Sequence, residues 1–210
     1  MEYKLSYDTW GNEEIKIFKN VKKNQQLTMS KNTELFEKKF SKYFNRKYSL
    51  MVNSGSSANL LAIASLFFKR KNSLKRGDEV IVPAIAWSTT YAPLQQFGLK
   101  VKIIDADDNS LNVDINKLRK HLSKKTKLIV GCSILGSPAK LEVIEKICKS
   151  KKIYFLNDNC ESLGAKINTR STTSFGDLVT HSFFFSHHIS TVEGGMVCTD
   201  NFELYCLMNS

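Results

Sequence analysis

Three segments of the sequence combine small, acidic or basic side chains directly after short apolar runs. Residues 54–59 have the sequence SGSSAN, residues 157–161 have NDNCE, and residues 182–195 have SFFFSHHISTVEGG. The apolar run before each segment has the length and residue types of a buried strand. The chemistry these segments offer is anion binding in the first, charge pairing in the second and proton transfer in the third.

The first segment could bind a phosphate group. Gly55 and Ser56 are small enough for a ligand to approach the backbone, and a helix is predicted to follow at Ala58. The free N–H groups and the positive dipole end of that helix would face a bound anion. Many strand-to-helix turns are rich in Gly and Ser for packing alone, so a packing role is equally compatible with this segment.

In the second segment, Asp158 ends an apolar run. A carboxylate at the end of a strand could pair with the protonated nitrogen of a pyridine ring, the contact that keeps a pyridoxal cofactor an effective electron sink. Aspartate also favours the N-cap position of helices, so helix capping is the alternative.

The third segment places His187 and His188 before Glu193-Gly194-Gly195. Adjacent side chains in an extended segment point to opposite sides, and no third ligand stands at zinc-like spacing, so a metal site is not expected. Histidine titrates near neutral pH, and a histidine here could act as a general base.

Alternation of strands and helices predicts an α/β fold with a mainly parallel sheet covered by helices on both faces. Ligands bind at the carboxyl ends of strands in such sheets, so the three segments are expected to meet there. The last two strands could pair antiparallel at one edge or sit apart in the sheet. The predicted helices cover residues 32–44, 58–68, 115–123, 141–150 and 202–208, and the predicted strands cover 48–52, 78–83, 101–105, 128–131, 153–156, 180–185 and 196–199.

Composition indicates an ordinary globular chain. The 210 residues are 42% apolar and 24% charged, which predicts one main domain, and no apolar run approaches the ~20 residues of a membrane span. The polar start does not resemble a signal peptide, so a cytoplasmic location is expected. The five cysteines show no zinc or disulfide spacing. The net charge of +11 is spread over scattered lysines, which indicates a Lys- and Asn-rich solvated surface rather than a nucleic-acid site. An anionic substrate would also gain from this positive field.

Four motifs occur in an order that resembles one known family: SGSSANLL, DEVIVPAIAWSTTYAPLQQFG, NDNCESLGA and SFFFSHHISTVEGGMV. They resemble the DegT/DnrJ/EryC/StrS family of sugar aminotransferases. The resemblance implies the large domain of a type I pyridoxal-phosphate (PLP) transferase, with a mainly parallel mixed sheet, and a homodimer. It implies an N-terminal arm or helix over residues 1–30 and a cofactor-binding large domain over residues 31–210. The family's small C-terminal domain is expected to be absent from these 210 residues.

The family usually has lysine at the position of His187, and this difference changes the expected reaction. A lysine would bind PLP covalently, whereas imidazole leaves the cofactor held by non-covalent contacts. The family branch with histidine here consists of 3-dehydratases. The resemblance therefore implies pyridoxamine phosphate (PMP) or PLP as cofactor and a nucleotide-linked 4-keto-6-deoxy sugar, with GDP favoured, as substrate. It also implies glutamate as amino donor and a place in dideoxysugar or O-antigen biosynthesis. The scattered lysines and the short apolar runs predict no nucleic acid or membrane partner.

The resemblance also assigns roles to single residues. His187 would be the base, Asp158 would pair with the pyridine nitrogen, and Glu161 would lie near the ring's 3-hydroxyl group. Trp87 would stack on the ring, although a core aromatic is an equal alternative. Gly55, Ser56 and Ser182 would hold the phosphate. His188 is expected to fix the loop or meet a partner subunit, and no role is assigned to His121 or His181.

Three alternatives to this dehydratase remain open. The first is an aminotransferase using another lysine; the only lysine between Asp158 and Gly195 is Lys166, which is misplaced for that task. The second is a folded fragment without turnover, and the third is a nucleic-acid-binding module, supported by net charge alone.

Overall fold

The computed structural model describes residues 7, 10–19 and 28–210. Residues 1–6, 8–9 and 20–27, which belong to the predicted N-terminal arm, lie outside the described residues. Seven helices occur in the described part: α1 (Asn12–Lys19), α2 (Lys31–Phe44), α3 (Gly55–Phe67), α4 (Ser88–Gln96), α5 (Ile115–His121), α6 (Leu141–Lys151) and α7 (Phe202–Met208). Across the described ranges, no helix has both the length and the apolar character that a bilayer crossing requires.

A seven-stranded sheet forms the centre of the fold. Its strands are β1 (Tyr48–Val52), β2 (Glu79–Pro83), β3 (Lys100–Ile104), β4 (Thr126–Cys132), β5 (Tyr154–Asp158), β8 (Leu178–Ser182) and β9 (Gly195–Thr199), in the spatial order β1-β9-β8-β5-β4-β2-β3. The short strands β6 (Lys166–Ile167) and β7 (Arg170–Ser171) form a separate antiparallel pair. Only β9 runs against its two neighbours; the other strands of the large sheet share one direction.

Helices cover both faces of the sheet, and alternate strand residues divide the core between the faces. On one face Val80, Leu128 and Leu156 pack with α3, α4 and α7, while on the other Ile81, Ile129 and Phe155 pack with α5 and α6. Helix α2 covers β8 and β9 through Phe40 and Phe44. Strands buried on both faces are apolar along their whole length, which explains the continuous runs in the sequence.

Most of the predicted elements are present within a few residues of the expected boundaries, and the predicted fold class is confirmed. The prediction misses α4, whose sequence STTYAPLQQ contains Pro93 and two threonines, residues that favour other structures. It also extends β8 too far, because the strand ends at Ser182. The N–H of the next residue, Phe183, donates a hydrogen bond to the Gly194 carbonyl where the chain leaves the sheet. Strands β8 and β9 pair antiparallel, but inside the sheet, because β1 takes the edge.

Stability should depend on pH through His181, which is fully buried on β8 against the rings of Phe40 and Phe44. Among the described residues, neither ring nitrogen has a hydrogen-bond partner, and burial, with a smaller effect from Arg46, lowers the pKa of His181 from 6.5 to about 3. Between these pH values the unfolded chain binds a proton that the folded chain excludes. The free energy of unfolding should therefore fall as pH drops through this window, by up to about 1.4 kcal/mol per pH unit.

Urea unfolding of the wild type and of His181→Phe at several pH values tests this prediction. Phenylalanine suits the aromatic surroundings and carries no proton, so the variant should lose the part of the pH dependence that His181 causes. Equal pH slopes in the two proteins between pH 6.5 and about 3 would contradict it.

Candidate active site

The three segments singled out in the sequence meet at one edge of the sheet. Strands β1, β5 and β8 all end at this edge, and β9 begins there, with Gly195 paired to Val52 on one side and Ser182 on the other. The crossing of β9 between β1 and β8 brings the start of α3 next to the end of β8. The edge is the carboxyl end of the parallel strands, where ligands bind in open α/β sheets.

The start of α3 forms one wall of the site. Ser54 is its N-cap, because its Oγ accepts the Ser57 N–H at 3.0 Å and its carbonyl accepts the Ala58 N–H at 3.0 Å. The N–H groups of Gly55 and Ser56 have no acceptor within the helix, as is general for a first helical turn. These two donors are therefore available to an anion, and the exposed Ser56 faces solvent.

Gly55 is in close contact with the opposite wall. A Cβ atom at position 55 would lie 2.7 Å from Ser182 Cβ and 3.0 Å from Cys160 Sγ. The buried Ser182 is thus adjacent to the start of α3, as expected for two groups that share one ligand. Packing therefore requires Gly55 to be small, and its part in phosphate binding stays a prediction.

Asp158 lies at the floor of the site and is buried. Its Oδ2 accepts hydrogen bonds from Asn59 Nδ2 at 2.9 Å and Thr90 Oγ1 at 2.7 Å, and its Oδ1 accepts a longer one from the Cys160 N–H at 3.3 Å. Turns rather than a helix follow Asp158. The helix-capping alternative is therefore wrong.

Trp87 is 69% exposed at the same edge, so the core-aromatic alternative is also wrong. It is the N-cap residue of α4, and its carbonyl accepts the Thr90 N–H at 2.9 Å. A large exposed indole at this edge offers a flat apolar surface to a planar ligand.

His187 lies in the loop between β8 and β9, where its N–H donates to the Phe184 carbonyl at 3.0 Å. The ring is partly buried, and this burial lowers the pKa of His187, while the carboxylates of Glu161 and Asp158 act in the opposite direction. The imidazole therefore remains neutral, and able to accept a proton, below its ordinary pKa of 6.5. The neighbouring His188 is exposed.

Glu161 fixes the loop that follows β4. Its Oε2 accepts the Leu135 N–H at 2.8 Å, and Leu135 has a left-handed backbone (φ 51°, ψ 35°) with its side chain exposed. The carboxylate thus holds a turn that a non-glycine residue rarely adopts. Its negative charge also raises the pKa of His187, against the effect of burial.

These groups fit a phosphorylated pyridine ring. Free N–H groups and Ser182 stand where a phosphate could bind, the short hydrogen bonds to Asp158 are made to Oδ2, and Trp87 offers a flat face. Asn59, Thr90 and Thr180, which surround Asp158, were not predicted as site residues from the sequence. The signal available for Asn59 was its position as a large polar residue in the mostly apolar helix α3.

Comparison with known proteins identifies the family of this chain. The sequence profile of the DegT/DnrJ/EryC1/StrS aminotransferase family matches residues 8–209. The chain belongs to this family. Members of the DegT/DnrJ/EryC1/StrS family share the fold of PLP-dependent aminotransferases, and the sheet described above is the central sheet of that fold.

Similar proteins include dehydratases. The chain is 47% identical to GDP-4-keto-6-deoxy-D-mannose 3-dehydratase of Yersinia pseudotuberculosis, over 99% of the chain and 53% of that protein. The Escherichia coli enzyme of that name, solved with bound hydrated PLP, has 46% identity and a TM-score of 0.94 over 99% of the chain and 54% of that structure. The chain thus spans about half the length of these relatives.

A third relative, also a solved structure, is a variant of GDP-4-keto-6-deoxymannose-3-dehydratase. In it a histidine is replaced by lysine and the serine directly before it by asparagine. It is 45% identical with a TM-score of 0.92, and the match covers 97% of the chain and 53% of that structure.

Proposed function

We propose that this chain is the cofactor-binding large domain of an enzyme that removes the 3-hydroxyl group from a GDP-linked 4-keto-6-deoxy sugar, using PMP or PLP. We assign residues 31–210 to that domain and residues 1–30 to an N-terminal arm. The 47% identity to a 3-dehydratase supports the reaction and the nucleotide. Because the chain matches 53% of that relative, the remaining half of such an enzyme would contribute to turnover.

The observation that carries this proposal is His187 in the place of the family's lysine. Ser186-His187 is the only Ser-His pair in the sequence, and a histidine after a serine is the pair altered in the dehydratase variant similar to this chain. A histidine cannot attach PLP covalently, so the cofactor would depend on the contacts at the sheet edge. A neutral imidazole beside Glu161 and Asp158 suits proton transfer better than transamination through a lysine.

Each residue of the site has a distinct task in this proposal. The N–H groups of Gly55 and Ser56 and the Ser182 hydroxyl bind the phosphate, Asp158 pairs with the ring nitrogen, and Trp87 covers one face of the ring. PMP, when bound, supplies the amino group that condenses with the sugar ketone and the electron sink for loss of the hydroxyl. His187 would remove a proton from the C4′ carbon of the bound cofactor, and Glu161 would lie near the 3-hydroxyl group of the pyridine ring.

We further propose a homodimer in the cytoplasm that serves dideoxysugar or O-antigen biosynthesis, with glutamate as amino donor. All five cysteines are free, which suits a reducing compartment. Exposed apolar side chains around the site suit a surface covered by a partner subunit. These side chains are Ile85, Trp87, Leu135, Phe185, Ile189 and Val192.

The aminotransferase alternative has less support because of where Lys166 lies. This residue lines a groove together with Arg46 and Asp200, which flank the start of β1 and the end of β9, at the edge of the sheet opposite Asp158. A lysine in that groove has no access to a cofactor at the carboxyl edge.

A direct assay tests the proposed reaction. The chain, loaded with PMP, is incubated with GDP-4-keto-6-deoxymannose and glutamate, and the nucleotide sugar is analysed by mass spectrometry. We expect the hydroxyl group at C3 to be lost and the ketone at C4 to be retained. Accumulation of a 4-amino sugar would instead identify an aminotransferase, and an unchanged sugar would identify a fragment without turnover.

A further inference from the structure

Asp158 is held from one side by a buried amide on α3. Asn59 is 2% exposed, and its Nδ2 donates to Asp158 Oδ2 at 2.9 Å. Asn59 follows Gly55 by four residues, about one helical turn, on the same rigid helix. The helix that presents the free N–H groups of Gly55 and Ser56 therefore also contacts Asp158.

The orientation of the Asn59 amide is fixed by a third residue. Thr180 lies beside Asp158 on the neighbouring strand β8, and its Oγ1 donates to Asn59 Oδ1 at 2.7 Å. Because a carboxylate only accepts hydrogen bonds, Nδ2 must face Asp158, and the amide oxygen must face the threonine hydroxyl. Thr180 is fully buried and contacts Asp158 through this amide.

A second donor reaches Asp158 from α4. Thr90 is 2% exposed, and its Oγ1 donates to Asp158 Oδ2 at 2.7 Å, while its N–H binds the Trp87 carbonyl. Both strong donors thus occupy Oδ2, whereas Oδ1 accepts the longer contact from the Cys160 N–H at 3.3 Å, and the Cys160 thiol also interacts with the carboxylate. The carboxylate is oriented so that Oδ2 receives the short hydrogen bonds from the protein and Oδ1 receives none of them.

We propose that Asn59, Thr90 and Thr180 are positioning residues that orient Asp158 toward the ring nitrogen of the cofactor. This inference rests on the proposed function, because it requires a pyridine ring in the site. The network joins Asp158 to the helix of the phosphate-binding N–H groups and to the helix that begins after Trp87, so the three contacts to the ring have fixed relative positions. Two donors also compensate the charge of a buried carboxylate that must remain an anion to pair with a protonated ring nitrogen.

Paired substitutions of the threonines separate positioning from packing. Thr180→Val keeps the branched shape and removes the hydroxyl, whereas Thr180→Ser keeps the hydroxyl and removes a methyl group. Thr90→Val and Thr90→Ser make the same comparison on α4, and Asn59→Leu removes the central amide. The matched control is Thr199→Val, because Thr199 is fully buried on β9 and donates to the Asp177 carbonyl, away from Asp158.

Two quantities are measured in each protein: the affinity for PLP, and the protonation of its ring nitrogen from the nitrogen-15 chemical shift of labelled bound PLP across the neutral pH range. Thermal unfolding shows which variants fold. Asn59→Leu and Thr90→Val should weaken PLP binding by about tenfold, the usual effect of losing a hydrogen bond to a charged group. Both valine variants should lose the ring-nitrogen proton at lower pH than the wild type, and the serine variants and Thr199→Val should resemble the wild type.

The opposite behaviour of the valine and serine variants would overturn the inference. If the valine variants keep the wild-type affinity and ring protonation while the serine variants are impaired, the threonines act through packing alone. A wild-type chain that binds no PLP would refute the proposed cofactor site itself, and the inference with it. A bound PLP with unchanged ring protonation in every folded variant would refute only the positioning role.

Discussion

Replacing Gly195 by alanine should abolish PLP binding and destabilise the fold by about 3 kcal/mol or more. Gly195 is buried at the start of β9, between Val52 and Ser182. A Cβ atom there would collide with the Ser54 carbonyl and lie 2.8 Å from the Gly55 nitrogen. These are backbone atoms of the N-cap and first turn of α3, so the added methyl group must displace the phosphate-binding end of the helix.

The neighbouring glycine provides the control for this prediction. A Cβ atom on Gly194 would meet the side chains of Thr191 and Met51, which can rotate away. Gly194→Ala should therefore cost less stability and retain measurable PLP binding. Urea unfolding and PLP titration of the two variants compare them directly. Similar behaviour of both variants would show that β9 does not constrain the start of α3.

His187→Asn should reduce turnover by about a thousandfold while leaving PLP affinity nearly unchanged. Asparagine has a similar size and polarity, but it cannot accept a proton at neutral pH, and general-base catalysis typically contributes factors of this order. PLP affinity should be maintained because the proposed binding contacts come from Gly55, Ser56, Asp158 and Ser182. Conversion of bound PLP to PMP by glutamate, followed by absorbance, measures the loss even when no sugar is present.

His188→Asn is the matched control, because His188 is the exposed neighbour in the same loop. Because this substitution leaves His187 in place, the variant should keep most of the wild-type rate of PLP conversion to PMP. The wild-type rate should also remain high below pH 6.5, since burial lowers the pKa of His187. A His187→Asn variant that reacts as fast as the wild type would assign the base to another residue.

The sequence was sufficient to predict that the three chemical segments lie together. Each follows an apolar run, and parallel strands place their carboxyl ends at one edge, so Gly55, Asp158, Ser182 and His187 were expected near one another. The structure places them at this edge. The position of β9 could not be predicted, because its pairing with β1 joins residues that are far apart in the sequence. That pairing is what brings Gly195 against Ser54.

The hydrogen-bond network around Asp158 could not be predicted from the sequence either. Asn59, Thr90 and Thr180 lie on three elements that meet only in the folded chain, and α4 itself was hidden by Pro93 and its threonines. For Trp87, the sequence left stacking and core packing equally open, and only its exposure excludes the core. Local patterns identify groups that can do chemistry, whereas the groups that orient them depend on tertiary contacts.

Titration of the 210-residue chain with PLP, followed by absorbance and then by addition of glutamate, tests the central claim most directly. We expect saturable binding without a covalent adduct on any lysine, and replacement of the aldehyde band by the PMP band once glutamate is added. Absence of saturable binding, or a covalent lysine adduct, would contradict a site that holds its cofactor by non-covalent contacts with His187 as the base.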